Sequence, residues 1–343
     1  MEEGLPDQGN PDHLRRPRGR QLQDVQKDRP RGDLDGLAAA PQEHVREVQL
    51  SRTVPPSTDT VSIILVTHNS RPILDDCVRA LQASTVDLST ELIVIDNASD
   101  TSPEQAIREV FPEATVTVNT RNAGFAAGCN QGARQAIGDY LLFVNPDVIV
   151  DRDAIVELLR VCRKRENPGL TGGRLRFPDG GFQATCRNFP TAGNLLFSRG
   201  SFLSRLSGSA DTAGNRYTLP DYAETTEVPA VAGTLVVIRR DVFERAGGFD
   251  ERFFMYMEDT DLSLRLHRAG YRNLFVPSAG GVHDWGRGSR ISRVRRAARH
   301  HYALWQYFLK HEPNAFSLFL LPLFLLANLL IVSILPAKRR PTV

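Results

Sequence analysis

The sequence of 343 residues is short of cysteine and of net charge, and each shortage narrows the field. Cys77, Cys129, Cys162 and Cys186 stand far apart, with no C-x-x-C pair and no histidine at finger spacing, which excludes a zinc finger and predicts reduced thiols. The 42 Lys and Arg nearly balance 40 Asp and Glu, so a net charge of +2 removes the electrostatic case for a nucleic-acid partner. The first residues are acidic and polar and hold no apolar core of a signal peptide, so none is expected. Residues 1–58 are poor in aliphatics and rich in Arg, Asp, Gln, Pro and Gly, a composition that predicts a disordered tail or an arm that folds on a partner. A dinucleotide fingerprint is missing too. A nicotinamide-dependent oxidoreductase would carry GxGxxG after the first strand, where this chain reads Thr67-His68-Asn69-Ser70-Arg71-Pro72.

What is present is an alternation of two periodicities. The run Val61-Ser-Ile-Ile-Leu-Val-Thr67 is short, apolar and β-branched, as suits a strand buried on both faces of a parallel sheet. Over residues 73–84, Leu74, Cys77, Val78 and Leu81 recur at helical spacing. Glu91-Leu-Ile-Val-Ile-Asp96 and Tyr140-Leu-Leu-Phe-Val144 are further strands, with helices over 103–111 and 124–137 and an extended stretch at 114–118. Such alternation predicts right-handed βαβ units in an α/β, doubly wound, mostly parallel sheet. Ligands of these sheets bind beyond the carboxyl ends of the strands. Here those ends deliver Thr67 and Asn69, then Asp96 and Asn97, then Asn145 and Asp147. Turn and cap preference accounts for any one of these groups; three at equivalent positions point to a shared site.

Five segments together resemble the inverting glycosyltransferases of family 2 with the GT-A (nucleotide-diphospho-sugar transferase) fold, and within them the bacterial rhamnosyltransferase-like branch. They are VSIILVTHNS (61–70), ELIVIDNASD (91–100), the stretch from RNAGF to NPDV (121–148), the stretch from VAGTL to HRAGY (231–271) and VHDWGRGS (282–289). The resemblance implies a nucleotide-sugar donor, dTDP- or UDP-linked, and a divalent cation, Mg²⁺ or Mn²⁺, whose preference for hard oxygen ligands suits a carboxylate beside a diphosphate. Asp147 stands where the family has the second acid of its Asp-X-Asp motif, with Asn145 in place of the first. His283 matches a histidine that completes the metal shell in several relatives.

The same resemblance makes Asp96 the acceptor of a pyrimidine N3–H, places Thr67, Asn69 and Asn97 around the nucleotide, and brings the stretch from Arg121 through Gly124 to Asn130 near it. A helix N-terminus with packing glycines is the plainer account of Gly124 and Gly128. Inversion requires a carboxylate that takes the acceptor proton, and Asp259 is assigned that role, with Glu258 orienting the acceptor. Gly233 and Thr234 would floor the acceptor side, Asp261 would cap or pair, and Trp285 would stack on a sugar or anchor its loop. No Gln-X-X-Arg-Trp motif of processive synthases follows, so a single sugar per encounter is expected. Rhamnose from dTDP-rhamnose is the first choice; a UDP-linked galactose, glucose or N-acetylglucosamine on another polysaccharide, or a non-catalytic scaffold, are the alternatives.

Residues 316–335 carry no charge and form a stretch long enough for a helix to cross a bilayer or to lie in its surface. Arginines 287, 290, 293, 295, 296 and 299 precede it and would hold a cytosolic face on anionic lipid, whereas Lys338, Arg339 and Arg340 pull the other way. The expected organisation is a tail (1–58), a catalytic domain (59–300) with a nucleotide half (59–150) and an acceptor half (151–300), and a membrane-associated segment (301–343) on the cytoplasmic face. A lipid-linked saccharide is the acceptor that fits such an anchor.

Overall fold

The computed structural model describes residues 60–71, 73–192, 195, 223–284 and 291–334. The expected tail, Trp285, Arg287, Arg290 and the basic residues after 334 lie outside these. In chain order the elements are β1 (Val61–Thr67), α1 (Ile73–Ser84), β2 (Thr90–Asp96), α2 (Glu104–Val110), β3 (Thr115–Val118), α3 (Phe125–Gln135), β4 (Tyr140–Val144) and β5 (Val148–Val150). Then come α4 (Ala154–Lys164), β6 (Pro168–Arg176), β7 (Phe182–Gln183), β8 (Cys186–Arg187), β9 (Thr226–Glu227), β10 (Ala230–Val231), β11 (Leu235–Arg239), α5 (Arg240–Arg245) and α6 (Glu258–Arg268). The chain continues with β12 (Arg272–His283), α7 (Arg293–His311), a π-helical turn (Phe316–Leu320) and α8 (Leu321–Ile334).

The main sheet runs in the order β3-β2-β1-β4-β11-β6-β12-β5. The pairs β3/β2, β2/β1 and β1/β4 are parallel, whereas β11 lies antiparallel to β4 and β6. β1 is buried along its whole length because alternate residues feed two layers. Ile63 and Leu65 enter a core with Leu74 and Cys77 of α1 and Leu158 of α4, while Ile64 and Val66 enter another with Ala126 of α3 and Leu262 of α6. All four cysteines are buried.

α7 is tied to α6 by a buried ionic cluster. Asp261, fully buried, accepts from Arg265 at 2.8 Å and pairs with Lys310 at 2.6 Å and His311 at 2.7 Å. Of the two roles expected for Asp261, the structure shows pairing. Burial alone would raise its carboxyl, but His311, Arg265 and Lys310 outweigh that and hold it below the usual range.

α8 folds back along α7. Trp305 Nε1 donates to the Ser317 carbonyl, His301 Nε2 meets Asn328 Nδ2 at 3.1 Å, and the Arg293 guanidinium donates to the Val332 carbonyl, so the two helices run antiparallel. Leu321 and Leu325 bury against Leu304, Tyr307 and Phe308 in a third core. The opposite face, including Phe319, Leu323, Leu326 and Leu330, is exposed. The segment Phe316–Ile334 is apolar and long enough to cross a membrane by length and composition.

Candidate active site

The carboxyl ends of β1, β2 and β4 open on a cleft of about 670 Å³. Thr67, Asn69, Asn97, Asn145 and Asp147 line it from these ends, and Gly233, Thr234, Glu258 and Asp259 from the segments around β11 and α6. Asn69 takes a left-handed conformation with φ 55°, and its Oδ1 accepts from the Asp100 amide while its own amide donates to Ser99 Oγ, so it locks the first strand end to the second. Asp96 is fully buried and does not line the cleft. Its Oδ1 accepts from the Ser99 amide and hydroxyl, and its Oδ2 has no hydrogen-bond partner among the described residues.

Asn97 is spent on backbone geometry: its Nδ2 donates to the Gly124 carbonyl at 2.9 Å, and its Oδ1 accepts from Asn119 at 2.9 Å. Gly124 has φ 95°, and a Cβ there would run into the Phe254 carbonyl, which accepts from the Phe125 amide at 2.7 Å. Glycine is thus required by the approach of the segment preceding α6. Two of the residues expected near the nucleotide do not line the cleft. Arg121 is exposed and does not line the cleft, although Asn122 beside it does. Asn130 does not line it either, its side chain exchanging hydrogen bonds with the Phe249 backbone and donating to Glu251.

Strand register brings Asp147 and His283 together. In the antiparallel pair β12/β5, His283 stands opposite Val148, and the Asp284 amide donates to the Asp147 carbonyl at 3.1 Å. His283 Nδ1 lies 2.8 Å from Gln183 Oε1; with that amide oxygen as acceptor, Nδ1 carries the proton and Nε2 is left as a lone pair. Nε2 is 3.2 Å from Asp147 Oδ1 but outside hydrogen-bond geometry, so a buried nitrogen faces a carboxylate without a bonded hydrogen between them. Two lone-pair donors so placed fit a divalent cation, with the histidine tautomer set by Gln183. Among the described residues no group of three or more acids, histidines or cysteines gathers there, so further ligands would come from donor and water.

The acid pair has two unlike environments. Asp259 Oδ2 accepts from the Gly233 amide at 2.9 Å and lies 3.7 Å from the Arg187 guanidinium, while Oδ1 accepts from the Thr260 amide. Glu258 Oε2 has no hydrogen-bond partner among the described residues, and burial, then the neighbouring Asp259 charge, push its carboxyl up to about 8. Near neutrality Glu258 therefore holds a proton. The turn that presents the pair is strained, with Tyr256 at φ 74° and Met257 at φ 68°. Gln183, Arg187, Tyr256 and the α7 arginines were not legible as site residues: the arginines stand out in the sequence, but their spacing alone fits a lipid surface equally well.

A family model described as glycosyl transferase family 2 matches residues 62–247, more than half of the chain. The chain belongs to that family. Within family 2 it is a rhamnosyltransferase-like glycosyltransferase: N-acetylglucosaminyl-diphospho-decaprenol L-rhamnosyltransferase of Mycobacterium tuberculosis is 29% identical over 259 residues, covering 71% of this chain and 82% of the relative. Rhamnosyltransferase WbbL of Escherichia coli strain K12 is 27% identical over 232 residues, covering 65% of this chain and 83% of the relative. A further model, glycosyl transferase family group 2, matches residues 200–338. Among solved structures, the mannosyltransferase PcManGT from Pyrobaculum calidifontis, in complex with GDP-Man and Mn²⁺, superposes with a TM-score of 0.50 at 18% identity, covering 81% of this chain and 76% of that one. That likeness shows the GT-A fold of this family 2 chain.

Proposed function

We propose that this glycosyltransferase transfers one rhamnosyl group, with inversion, from dTDP-rhamnose to a lipid-linked saccharide at the cytoplasmic face of a membrane, using a divalent cation held by Asp147 and His283. The observation that carries the reading is the Nε2 of His283, without a hydrogen-bond partner among the described residues, beside Asp147 in the same cleft as Asp259. A bound cation supplies neutralisation of the charge that gathers on the departing diphosphate. Residues 59–150 form the nucleotide half, where Thr67, Asn69 and Asn145 wall the pocket; Asp96 is buried outside that lining, so its Oδ2, without a partner among the described residues, meets a pyrimidine N3–H only where donor binding uncovers it. Residues 151–300 form the acceptor half. There Asp259 takes the acceptor hydroxyl proton, and its amide and guanidinium neighbours hold the carboxylate in place. Protonated Glu258 donates to an acceptor oxygen and so orients the attacking hydroxyl.

Sugar and acceptor rest on the names of the relatives, of which the mycobacterial one acts on a decaprenol-linked saccharide by its name. The test is transfer from a panel of dTDP- and UDP-sugars to an isoprenyl-diphosphate N-acetylglucosamine, with Mg²⁺, Mn²⁺ or EDTA. The expected outcome is activity with dTDP-rhamnose that EDTA abolishes, and an Asp259→Asn variant that loses about 10³-fold in kcat with donor affinity retained. Transfer in EDTA would remove the cation, turnover of UDP-sugars alone would replace the donor, and a fully active D259N would remove the base.

A further inference from the structure

The cleft has a cationic wall as well as an acidic one. Arg295, Arg296 and Arg299, all from the first two turns of α7, line it beside Arg187, against the carboxylates Asp147 and Asp259 and the protonated Glu258. Their place is fixed from two directions. Arg299 stacks over the Phe254 ring at 4.7 Å, His300 packs on the Tyr256 ring at 5.6 Å, and at the far end of the helix Lys310 and His311 pair with Asp261 of α6. The turn carrying Tyr256 and Glu258 and the start of α7 therefore form one wall, and Arg296, Arg299 and Glu258 all act electrostatically on the Tyr256 hydroxyl. On the function proposed above, which gives Glu258 the acceptor, this wall is the acceptor side of the site.

The apolar surface begins at the same point. Arg293 donates to the Val332 carbonyl, which brings the C-terminal end of α8 to the N-terminal end of α7, with Leu330 56% and Ile334 78% exposed there. A ligand seated at the arginines thus has an uncovered aliphatic face running away from its charged end.

We propose that Arg295, Arg296 and Arg299 form a binding subsite for the diphosphate of a lipid-linked acceptor, with the hydrocarbon chain leaving along the exposed end of α8. The inference rests on the glycosyltransferase reading for its acceptor and goes beyond it in assigning the residues. Three points support it. A cation held by Asp147 and His283 would serve the donor diphosphate, and the α7 guanidiniums bring positive charge to another wall of the same cleft. Guanidinium is the side chain that meets phosphate oxygens two at a time. Burial of hydrocarbon on α8 would contribute roughly 0.8 kcal/mol per CH₂ removed from water, so the lipid part adds affinity that a bare diphosphate lacks.

The test is direct binding of farnesyl diphosphate to the full chain in EDTA, where no cation can hold a diphosphate at Asp147. Binding by the wild type is expected, weakened at least tenfold in R295Q/R296Q/R299Q and about threefold in Arg295→Gln, an exposed position whose change spares the fold, and not weakened in Asp147→Asn. Inorganic pyrophosphate is expected to bind at least tenfold more weakly than farnesyl diphosphate. The proposal is overturned if the arginine variants bind like the wild type, if D147N abolishes binding, or if pyrophosphate binds as tightly as farnesyl diphosphate. It is also overturned if the arginine substitutions weaken binding to phosphatidylglycerol vesicles as much as to vesicles carrying farnesyl diphosphate, since the arginines would then serve a general anionic surface. Arginine-dependent binding without sugar transfer to any isoprenyl-diphosphate saccharide would keep the subsite and remove the acceptor role from the glycosyltransferase reading.

Discussion

Glu258 and Asp259 are adjacent in sequence and opposite in circumstance. The amide of Gly233 and the guanidinium of Arg187 face Asp259, whereas Glu258 Oε2 faces no donor among the described residues and its carboxyl is pushed up to about 8 from 4.5, by burial first and by Asp259 second. Between those two values the folded chain keeps a proton that the unfolded chain releases, so Glu258 makes stability fall as pH rises across that window. Glu258→Gln removes the ionisation. Its melting temperature relative to wild type should therefore climb by a few degrees between pH 5 and pH 8, read by calorimetry; an offset equal at both pH values would show that Glu258 is ionised throughout. Both acids are legible as a pair in the sequence, and their division of labour is not, because it depends on which backbone amide each oxygen meets.

At the scale of elements, the strands and helices over 61–144 lie where periodicity puts them, since short β-branched runs and helical apolar spacing are local signals. The connection between α6 and α7 is not local. Asp261 sits fully buried with Arg265, Lys310 and His311 around it, and only the packing of two helices brings those charges together. Removing one member of such a cluster strands the others. Asp261→Asn is expected to cost about 3 kcal/mol, seen as a lower urea midpoint, and to loosen α7 enough to raise the KM for acceptor more than that for donor. A change below about 1 kcal/mol would show the cluster to be solvated and incidental.

At the scale of the whole molecule, α7 and α8 form an antiparallel hairpin on the catalytic unit, with one face of α8 packed and the other bare. That arrangement suits a segment lying in the bilayer surface beside the active site, the apolar face inward. Replacing Phe319, Leu323 and Leu326 with Ser should lower partition into phosphatidylglycerol-containing vesicles by about 100-fold, on roughly 1 kcal/mol per side chain withdrawn from the lipid, measured by vesicle co-sedimentation. Unchanged partition would assign membrane contact to another part of the chain.

Sequence by itself determined the alternating strands and helices, the small polar groups at three strand ends, the acid pair and the uncharged segment, because each is written in neighbouring residues. Tertiary structure decided the rest. The β12/β5 register sets His283 beside Asp147, β7 supplies Gln183 to choose the histidine tautomer, and Asn130 and Arg121 are not among the residues lining the cleft, although Asn122 next to Arg121 is. It also turned three arginines of α7 toward the acid pair. Strand register and helix docking are choices among distant partners, made by burial summed over the whole core, and no local spacing records them.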